Sequence, residues 1–166
     1  DIYVGNCGAS NIPGSVTVID GKTNEVIANI GIGFEADAMA YDPQNGYIYV
    51  ASMASCEAVV INGSSNKVIG IINVGLDPHA IVYDPQNGYL YVGDWYALSF
   101  TSGQLEIINT TTNKAVKTIK IPRSVNAMLY DPLNSNIYID CYGSKSLIVI
   151  NGTSNKVIGN ITLGEE

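Results

Sequence analysis

The sequence predicts an all-β protein, and three observations support this fold class. First, a ten-residue block that begins Tyr-Asp-Pro recurs at Tyr41, Tyr83 and Tyr130, 42 and 47 residues apart. Second, a polar turn flanked by β-branched runs recurs between these copies. Third, no stretch has the 3.6-residue hydrophobic period of an amphipathic helix. Each unit therefore contains two hairpins, and four-stranded units with a period of ~40–45 residues are typical of β-propeller blades.

The Tyr-Asp-Pro block has the chemistry of a hairpin. Asp-Pro favours a turn, because proline restricts φ and the aspartate side chain caps the turn. Asn-Gly then supplies residues that tolerate positive φ, and the following Tyr-x-Tyr is typical of a strand. Asp42, Asp84 and Asp131 occupy the same turn position in the three copies. We therefore interpret them as turn caps rather than as a ring of catalytic carboxylates.

The second block predicts another hairpin, with an Asn/Gly/Ser/Thr turn between two strands. Its four copies are Val18–Ile27, Val60–Ile69, Ile107–Val116 and Val149–Ile158. In the second unit the four predicted strands are about 38–41, 47–51, 58–61 and 67–74. The whole chain then forms one repeat domain of four units, approximately 1–33, 34–75, 76–122 and 123–166.

The first unit opens with Ile2-Tyr3-Val4, which matches the second strand of the other units. We therefore predict a first blade that lacks its inner strand. An unpaired strand edge tends to bind further polypeptide. We accordingly expect the four units to be part of a longer propeller, or to associate edge to edge with other copies, rather than to form a closed monomeric ring.

Composition excludes several classes of function. The net charge is −7 and the only arginine is Arg123, which argues against a nucleic-acid-binding protein. No apolar run approaches the ~20 residues of a membrane-spanning helix. Cys7, Cys56 and Cys141 have no Cys-x-x-Cys spacing, so we expect no zinc site. No catalytic triad, phosphate-binding loop or metal-ligand cluster is evident, and we expect no cofactor.

The two blocks together resemble the YVTN β-propeller repeat, over essentially the whole chain. The resemblance is carried by Val-Ile-Asn-x-x-x-Asn-Lys-Val-Ile, then Val-Gly-x-x-Pro, then Tyr-Asp-Pro-x-Asn-Gly-Tyr-x-Tyr-Val. It implies a cell-surface or secreted protein of the kind found in archaeal surface layers, and a complete propeller of about seven blades. It says little about activity, because propellers host many unrelated functions. The fourth unit departs from the pattern at Ser135-Asn136 and at Ile139-Asp140.

Three polar residues, each four positions before a repeated tyrosine, are candidate ligand-binding residues: Asp37, His79 and Asn126. The first strand of a propeller blade lines the central channel, so these residues should lie near one channel mouth. Their resemblance to positions in lactonase-like propellers would place a metal or substrate there. The alternative is that a wet channel tolerates polar residues. His79 is the only histidine, which would allow a proton-transfer role.

The loops after each second strand differ most between units, and variable loops on a rigid scaffold often carry recognition. The longest is an insertion, Asp94–Gly103, which contains Trp95, Tyr96 and Phe100. These aromatic residues could form an exposed contact patch for a sugar or a neighbouring protein, or could cover the blade locally.

All the cysteines also fall in these loops. Cys7 and Cys56 belong to adjacent units, so we predict a disulfide between them in an oxidising compartment. Cys141 would then be unpaired or pair outside the chain. The alternative is three buried thiols.

Four Asn-x-Ser/Thr sequons begin at Asn62, Asn109, Asn151 and Asn160. The first three occupy the same turn of successive units, where the first unit has Asp20. Asparagine suits such a turn for structural reasons, yet an exposed hairpin tip can also carry a glycan. The chain begins at Asp1 rather than Met, as expected for a processed protein or a fragment. We therefore expect an extracellular, N-glycosylated protein.

The leading functional hypothesis is a non-catalytic structural or adhesive module of the cell surface, such as a component of a surface layer, sheath or filament. Its expected partners are copies of itself or other cell-surface proteins and glycans. The alternative is a ligand-binding or lactonase-like hydrolytic propeller with a site at the channel mouth. A haem-associated propeller is disfavoured, because the chain has no Cys-x-x-Cys-His motif.

Overall fold

The computed structural model describes residues 1–8, 12–95, 103–122 and 124–164. In these ranges the protein is all-β. No helix among the described residues is long and apolar enough to cross a membrane. The strands are β1 (Ile2–Asn6), β2 (Gly14–Ile19), β3 (Val26–Gly33), β4 (Ala36–Asp42), β5 (Tyr47–Ser52), β6 (Glu57–Asn62), β7 (Lys67–Asn73), β8 (Pro78–Asp84), β9 (Tyr89–Asp94), β10 (Gly103–Asn109), β11 (Lys114–Ile121), β12 (Val125–Asp131), β13 (Asn136–Cys141), β14 (Ser146–Asn151) and β15 (Lys156–Thr162).

These strands form four antiparallel sheets, each made of consecutive strands. Blade 1 contains β1 to β3, blade 2 contains β4 to β7, blade 3 contains β8 to β11 and blade 4 contains β12 to β15. The fold class is therefore confirmed, including the three-stranded first blade. The inner strand β8 contacts β4 on one side and β12 on the other, which sets blades 2, 3 and 4 side by side.

The inner turns form for the reason that the sequence suggests. The Oδ1 atoms of Asp42 and Asp84 accept hydrogen bonds from the amides of Gln44 and Gln86, each at 2.8 Å. Asp131 accepts from the Leu133 amide at 2.9 Å. Asp42 and Asp84 are only 1% and 0% exposed, so they cap turns in the interior.

The core lies between the blades rather than within a single sheet. Three clusters of buried side chains join blade 1 to blade 2, blade 2 to blade 3 and blade 3 to blade 4. Val16 and Val18 of blade 1 pack against Val50 and Val59 of blade 2, for example. Each blade therefore buries its apolar faces only against its neighbours in sequence, as expected of a repeat architecture.

The two ends of this row of blades are uncovered. On the far face of blade 4, Leu129 is 65% exposed and Ile161 is 48% exposed. On the far face of blade 1, Ile2 and Val4 are 51% and 40% exposed. These two faces therefore do not pack against each other in this structure.

Candidate functional site

The three candidate channel residues occupy the same unusual backbone position. The register of β4 with β5 shifts between Ala36 and Ala38, which leaves Asp37 without a ladder partner. The corresponding shifts leave His79 unpaired in β8 and Asn126 unpaired in β12. Each is thus the extra residue of a β-bulge, and bulges commonly redirect a side chain away from the regular pleat.

The bulges bring two of the three candidates together. The Nδ1 atom of His79 contacts the Oδ2 atom of Asp37 across the junction of blades 2 and 3, with side chains 30% and 22% exposed. Asn126 does not join this pair, because its Nδ2 donates to Oδ2 of Asp140 in its own blade at 2.7 Å. The site is therefore a His–Asp pair with a separate Asn–Asp pair in the next blade.

Aromatic rings extend this site toward blade 4. The Trp95 ring lies 4.8 Å from the His79 ring and 5.3 Å from the Tyr142 ring, in tilted arrangements. The Trp95 amide donates to the carbonyl of Asp77 and the Tyr142 amide to the carbonyl of Ser124, which fixes the backbone of both residues. Tyr96 and Phe100, the other members of the predicted aromatic patch, lie outside the described residues.

Sequence reasoning missed Tyr142 and Asp140 as members of this site. Tyr142 follows β13 at the position that Trp95 occupies after β9, and each amide bonds to the loop before its inner strand. Aligning the repeats beyond the end of the second strand would have identified this equivalence.

Two buried acidic residues lie near the same end of blade 3. Asp94 is 1% exposed and Glu106 is 7% exposed, and Oδ1 of Asp94 and Oε2 of Glu106 have no hydrogen-bond partner among the described residues. Burial, followed by the nearby charges of Glu106 and Asp77, raises the pKa of Asp94 to about 8. Burial also raises the pKa of Glu106, partly offset by the backbone amide of Gly75.

The structure arranges no metal centre in the described part of the chain: no three His, Cys, Asp or Glu side chains there are grouped as ligands. The Asp37–His79 pair offers two potential metal ligands, one carboxylate and one imidazole.

The predicted Cys7–Cys56 disulfide is absent from the structure, where both residues are thiols. The Sγ atom of Cys7 is directed to the carbonyl oxygen of Ala36 at 3.4 Å. Cys56 lies in the turn between β5 and β6 with a φ of 56°, and its amide bonds to the carbonyl of Met53. Cys141 is buried in the core between blades 3 and 4.

The sequon asparagines have structural roles in their turns. The Oδ1 atoms of Asn62, Asn109 and Asn151 accept hydrogen bonds from backbone amides two or three residues later, at 2.9–3.0 Å. Asp20 caps the equivalent turn of blade 1 in the same way. All three asparagines are half-buried, whereas Asn160 is exposed on the outer strand β15. Asn160 is therefore the most accessible of the predicted glycan acceptors.

A second set of candidate contacts repeats at every junction between blades. The Tyr3 hydroxyl donates to the carbonyl oxygen of Gly63 at 3.1 Å and to Oδ1 of Asn66 at 2.8 Å. The Tyr49 hydroxyl makes the same contacts with Thr110 at 3.3 Å and Asn113 at 2.8 Å. We call this arrangement the tyrosine junction: a tyrosine in one blade donates to the outer turn of the next.

The tyrosine junction of blades 3 and 4 completes the series. The Tyr91 hydroxyl donates to Oδ1 of Asn155, and Nδ2 of Asn87 donates to the carbonyl oxygen of Gly152 at 2.8 Å. Asn87 Nδ2 also lies 2.9 Å from the Tyr91 hydroxyl oxygen, which orients the phenol. Because Tyr49 and Tyr91 are fully buried, these contacts lie inside the molecule.

Two open concavities lie toward the ends of the row of blades. A groove of about 410 Å³ on the far face of blade 4 is lined by Leu129, Tyr138, Leu147 and their neighbours. A cleft of about 540 Å³ lies beside the free edge of β1, between Tyr3 and the inner strand of blade 2. Tyr41, at this cleft, is 57% exposed, whereas its equivalent Tyr83 is 8% exposed.

Comparison with known proteins identifies the architecture. The chain is similar to the solved structure of Kuenenia stuttgartiensis hydrazine synthase, with a TM-score of 0.81 and 23% sequence identity over 91% of this chain and 44% of that one. It is also similar to the WD40 repeats of RRP9, with a TM-score of 0.66 and 15% identity over 78% of this chain and 39% of that one.

These likenesses support a β-propeller fold, and at such identities they show the fold alone. The chain spans less than half the length of either structure. No family model matches the sequence, and no curated protein matches it.

Proposed function

We propose that this chain is a non-catalytic structural or adhesive repeat module of an extracellular cell surface, and that it assembles with further blades through its end faces. The observation that carries the proposal is the exposed apolar far face of blade 4. Apolar surface of this kind is costly to leave in water and commonly marks an interaction site.

The comparison between equivalent residues supports this proposal. Tyr138 occupies in blade 4 the position of Tyr49 and Tyr91, which are both 0% exposed, but Tyr138 is only half-buried. Leu129 occupies the position of Ala40 and Val82, which are partly buried in the cores between blades. The far face of blade 4 therefore resembles an inner face of the propeller that has no neighbour.

The resemblance to YVTN-type repeats supports the cellular setting. That resemblance, together with the sequons and the low charge, favours a surface layer, sheath or filament component of an archaeal cell. The exposed position of Asn160 suits an attached glycan. Mass spectrometry of protein from the native source tests this setting, since an unmodified mass of 17.7 kDa would argue against glycosylation.

The assembly itself is tested by measuring molar mass against concentration, by sedimentation and light scattering. Leu129→Glu places a charge on the far face of blade 4 and should shift the equilibrium toward monomer. Ile69→Glu is the matched control, because Ile69 is 47% exposed but lies on the outer strand of blade 2, away from both end faces. A wild-type protein that stays monomeric at all concentrations would contradict the proposal.

A second candidate function is ligand binding or lactonase-like hydrolysis at the channel mouth. It is favoured by the bulges at Asp37 and His79, which direct both side chains to one point beside Trp95. A carboxylate, an imidazole and an indole ring together suit a small polar ligand with an apolar side.

A screen of lactone and ester hydrolysis, with and without divalent metal ions, tests this second candidate. His79→Ala should abolish any genuine activity, whereas Asn126→Ala should reduce it less, because Asn126 bonds to Asp140 instead. Activity that survives His79→Ala would assign the chemistry to another site or to a contaminant.

A further inference from the structure

We propose that the end faces join head to tail through a fourth tyrosine junction, in which Tyr138 of one copy donates to the outer turn around Asn24 of a second copy. This inference rests on the proposed assembly and specifies its contact. The partner is a second copy of this chain, and the interface is heterologous: blade 4 of one copy meets blade 1 of the next.

The donor part of this junction is already formed on blade 4. Nδ2 of Asn134 lies 3.1 Å from the Tyr138 hydroxyl oxygen. The same pairing orients Tyr49 through Asn45 at 3.3 Å and Tyr91 through Asn87 at 2.9 Å. In blades 2 and 3 the oriented hydroxyl donates to the next blade. In blade 4 the hydroxyl is oriented in the same way, but no outer turn among the described residues accepts its hydrogen.

The acceptor part is formed on blade 1. Its outer turn is Asp20–Glu25, with Asn24 at a φ of 59°. The three asparagines that accept in the existing junctions, Asn66, Asn113 and Asn155, have φ values of 54°, 52° and 52°. Gly21 corresponds to Gly63 and Gly152, and the space around it is open. The turn therefore presents a carbonyl and a carboxamide in the arrangement that a junction tyrosine meets elsewhere.

The two end faces also match along their length. Near the junction, blade 4 presents Leu129, the ladder partner of Tyr138, and blade 1 presents Ile2 and Val4. All three side chains are at least 40% exposed and would bury each other.

At the opposite end each face carries polar side chains, which on blade 4 lie in the same ladder row as Ile161. Blade 4 has the Asn126–Asp140 pair there. Blade 1 has Asn6, whose Nδ2 donates to Oγ1 of Thr17 at 3.0 Å. Head-to-tail stacking thus places Leu129 against Ile2 and Val4, and polar side chains against polar side chains.

One departure from the repeat suits the described three-stranded blade 1 as the partner. Gln44 and Gln86 donate to the carbonyls of Pro85 and Pro132, which lie in the inner turns of the following blades. Blade 4 has Leu133 at this position, 94% exposed, so it cannot make that bond. Blade 1, with three strands, offers no inner turn among the described residues. Because Leu133 has no side-chain donor, a partner that lacks an inner-turn carbonyl forfeits no hydrogen bond at this position.

Sedimentation equilibrium of three variants tests the contact. Tyr138→Phe removes only the donor hydroxyl, and Asn24→Gly removes the acceptor side chain while tolerating positive φ. Each should raise the dissociation constant of self-association about tenfold, since each removes a hydrogen bond at the interface. Tyr142→Phe is the control, because Tyr142 is 64% exposed at the other end of blade 4, and it should behave as wild type.

Mixing the two variants separates a direct contact from a loss of stability. The Asn24→Gly protein keeps Tyr138, and the Tyr138→Phe protein keeps Asn24. Each mixed pair can therefore form one intact junction, and a 1:1 mixture should associate more tightly than either variant alone. Wild-type association that neither variant weakens, or no gain on mixing, would overturn the junction while leaving the proposed assembly in place. A monomeric wild-type protein would overturn both.

Discussion

His79 and Asp37 contact each other although they belong to different blades and lie 42 positions apart in the chain. Both are bulge residues at the start of inner strands, so the contact depends on the same backbone irregularity in two successive repeats. The side chains of the pair are partly solvated. The contribution of this pair to the free energy of unfolding is therefore expected to be small. A ligand could displace such a weak contact at little cost.

A double-mutant cycle measures that effect. Asp37→Ala and His79→Ala should couple by about 0.2–1 kcal/mol in the free energy of unfolding, because partly exposed pairs gain little in water. Chemical denaturation at pH 6 provides the measurement. The Asp37/Asn126 cycle is the control and should show no coupling beyond error, since Asn126 bonds to Asp140. A coupling above 2 kcal/mol for the first pair would mean that the site is more shielded than its exposure indicates.

Asp94 should make the protein less stable as pH rises. Its pKa is raised from 3.8 to about 8 in the folded protein, mainly by burial, so the folded state retains a proton that the unfolded state has lost. The stabilisation from this proton is complete below about pH 4 and is lost as the pH rises to about 8. Thermal melts across this range should show a falling midpoint.

Asp94→Asn removes the titrating group and should flatten this decline. Glu25→Gln, in an exposed turn, is the control that should retain it. Melting midpoints that rise from pH 5 to pH 8 in the wild type would contradict the assignment.

The internal tyrosine junctions should contribute measurably to stability. Tyr49→Phe removes a buried hydroxyl that donates to Thr110 and Asn113, and should lower the free energy of unfolding by about 1–2 kcal/mol. Urea denaturation is the measurement. Tyr41→Phe, at a tyrosine that is 57% exposed, should change the stability by less than about 0.5 kcal/mol. Equal changes in the free energy of unfolding for Tyr49→Phe and Tyr41→Phe would contradict a specific stabilising role of the tyrosine junction.

Close packing between blades 3 and 4 should make Gly93 intolerant of a side chain. A Cβ atom at Gly93 would lie 2.7 Å from side-chain atoms of Val125, which is fully buried. Gly93→Ala should therefore destabilise the protein by about 1–3 kcal/mol, as overpacked cores do. Gly31→Ala is the control, because nothing lies within 4 Å of its added Cβ. Thermal melts that leave the two variants indistinguishable would contradict the packing at this junction.

The sequence predicted the hairpins well because their determinants are local. Asp-Pro and Asn-Gly specify turns through neighbouring residues, so the second unit was predicted at 47–51 for the strand that the structure has at Tyr47–Ser52. The missing inner strand of blade 1 followed from the same alignment of repeats. The sheet order then required only that consecutive strands pair.

The site was predicted only in part because its geometry depends on irregular backbone and on neighbouring blades. Counting from the repeated tyrosines placed Asp37 and His79 at equivalent positions, but not the bulges that bring them together. It also grouped Asn126 with them, whereas Asp140 in the adjacent strand holds its amide. The predicted Cys7–Cys56 disulfide depends on the orientation of the thiols, which the alignment of the repeats does not specify, and both residues are thiols in the structure.

The dependence of each blade on its immediate neighbours has a consequence for the history of the chain. Tyr41 and Tyr83 occupy equivalent positions one repeat apart, and each is followed by the same Asn-Gly turn. Recombination between two such points would insert or delete a whole blade and rejoin edges with nearly identical chemistry. Blade number can therefore change by duplication or loss without a new core having to evolve, and proteins of different lengths can arise from one unit.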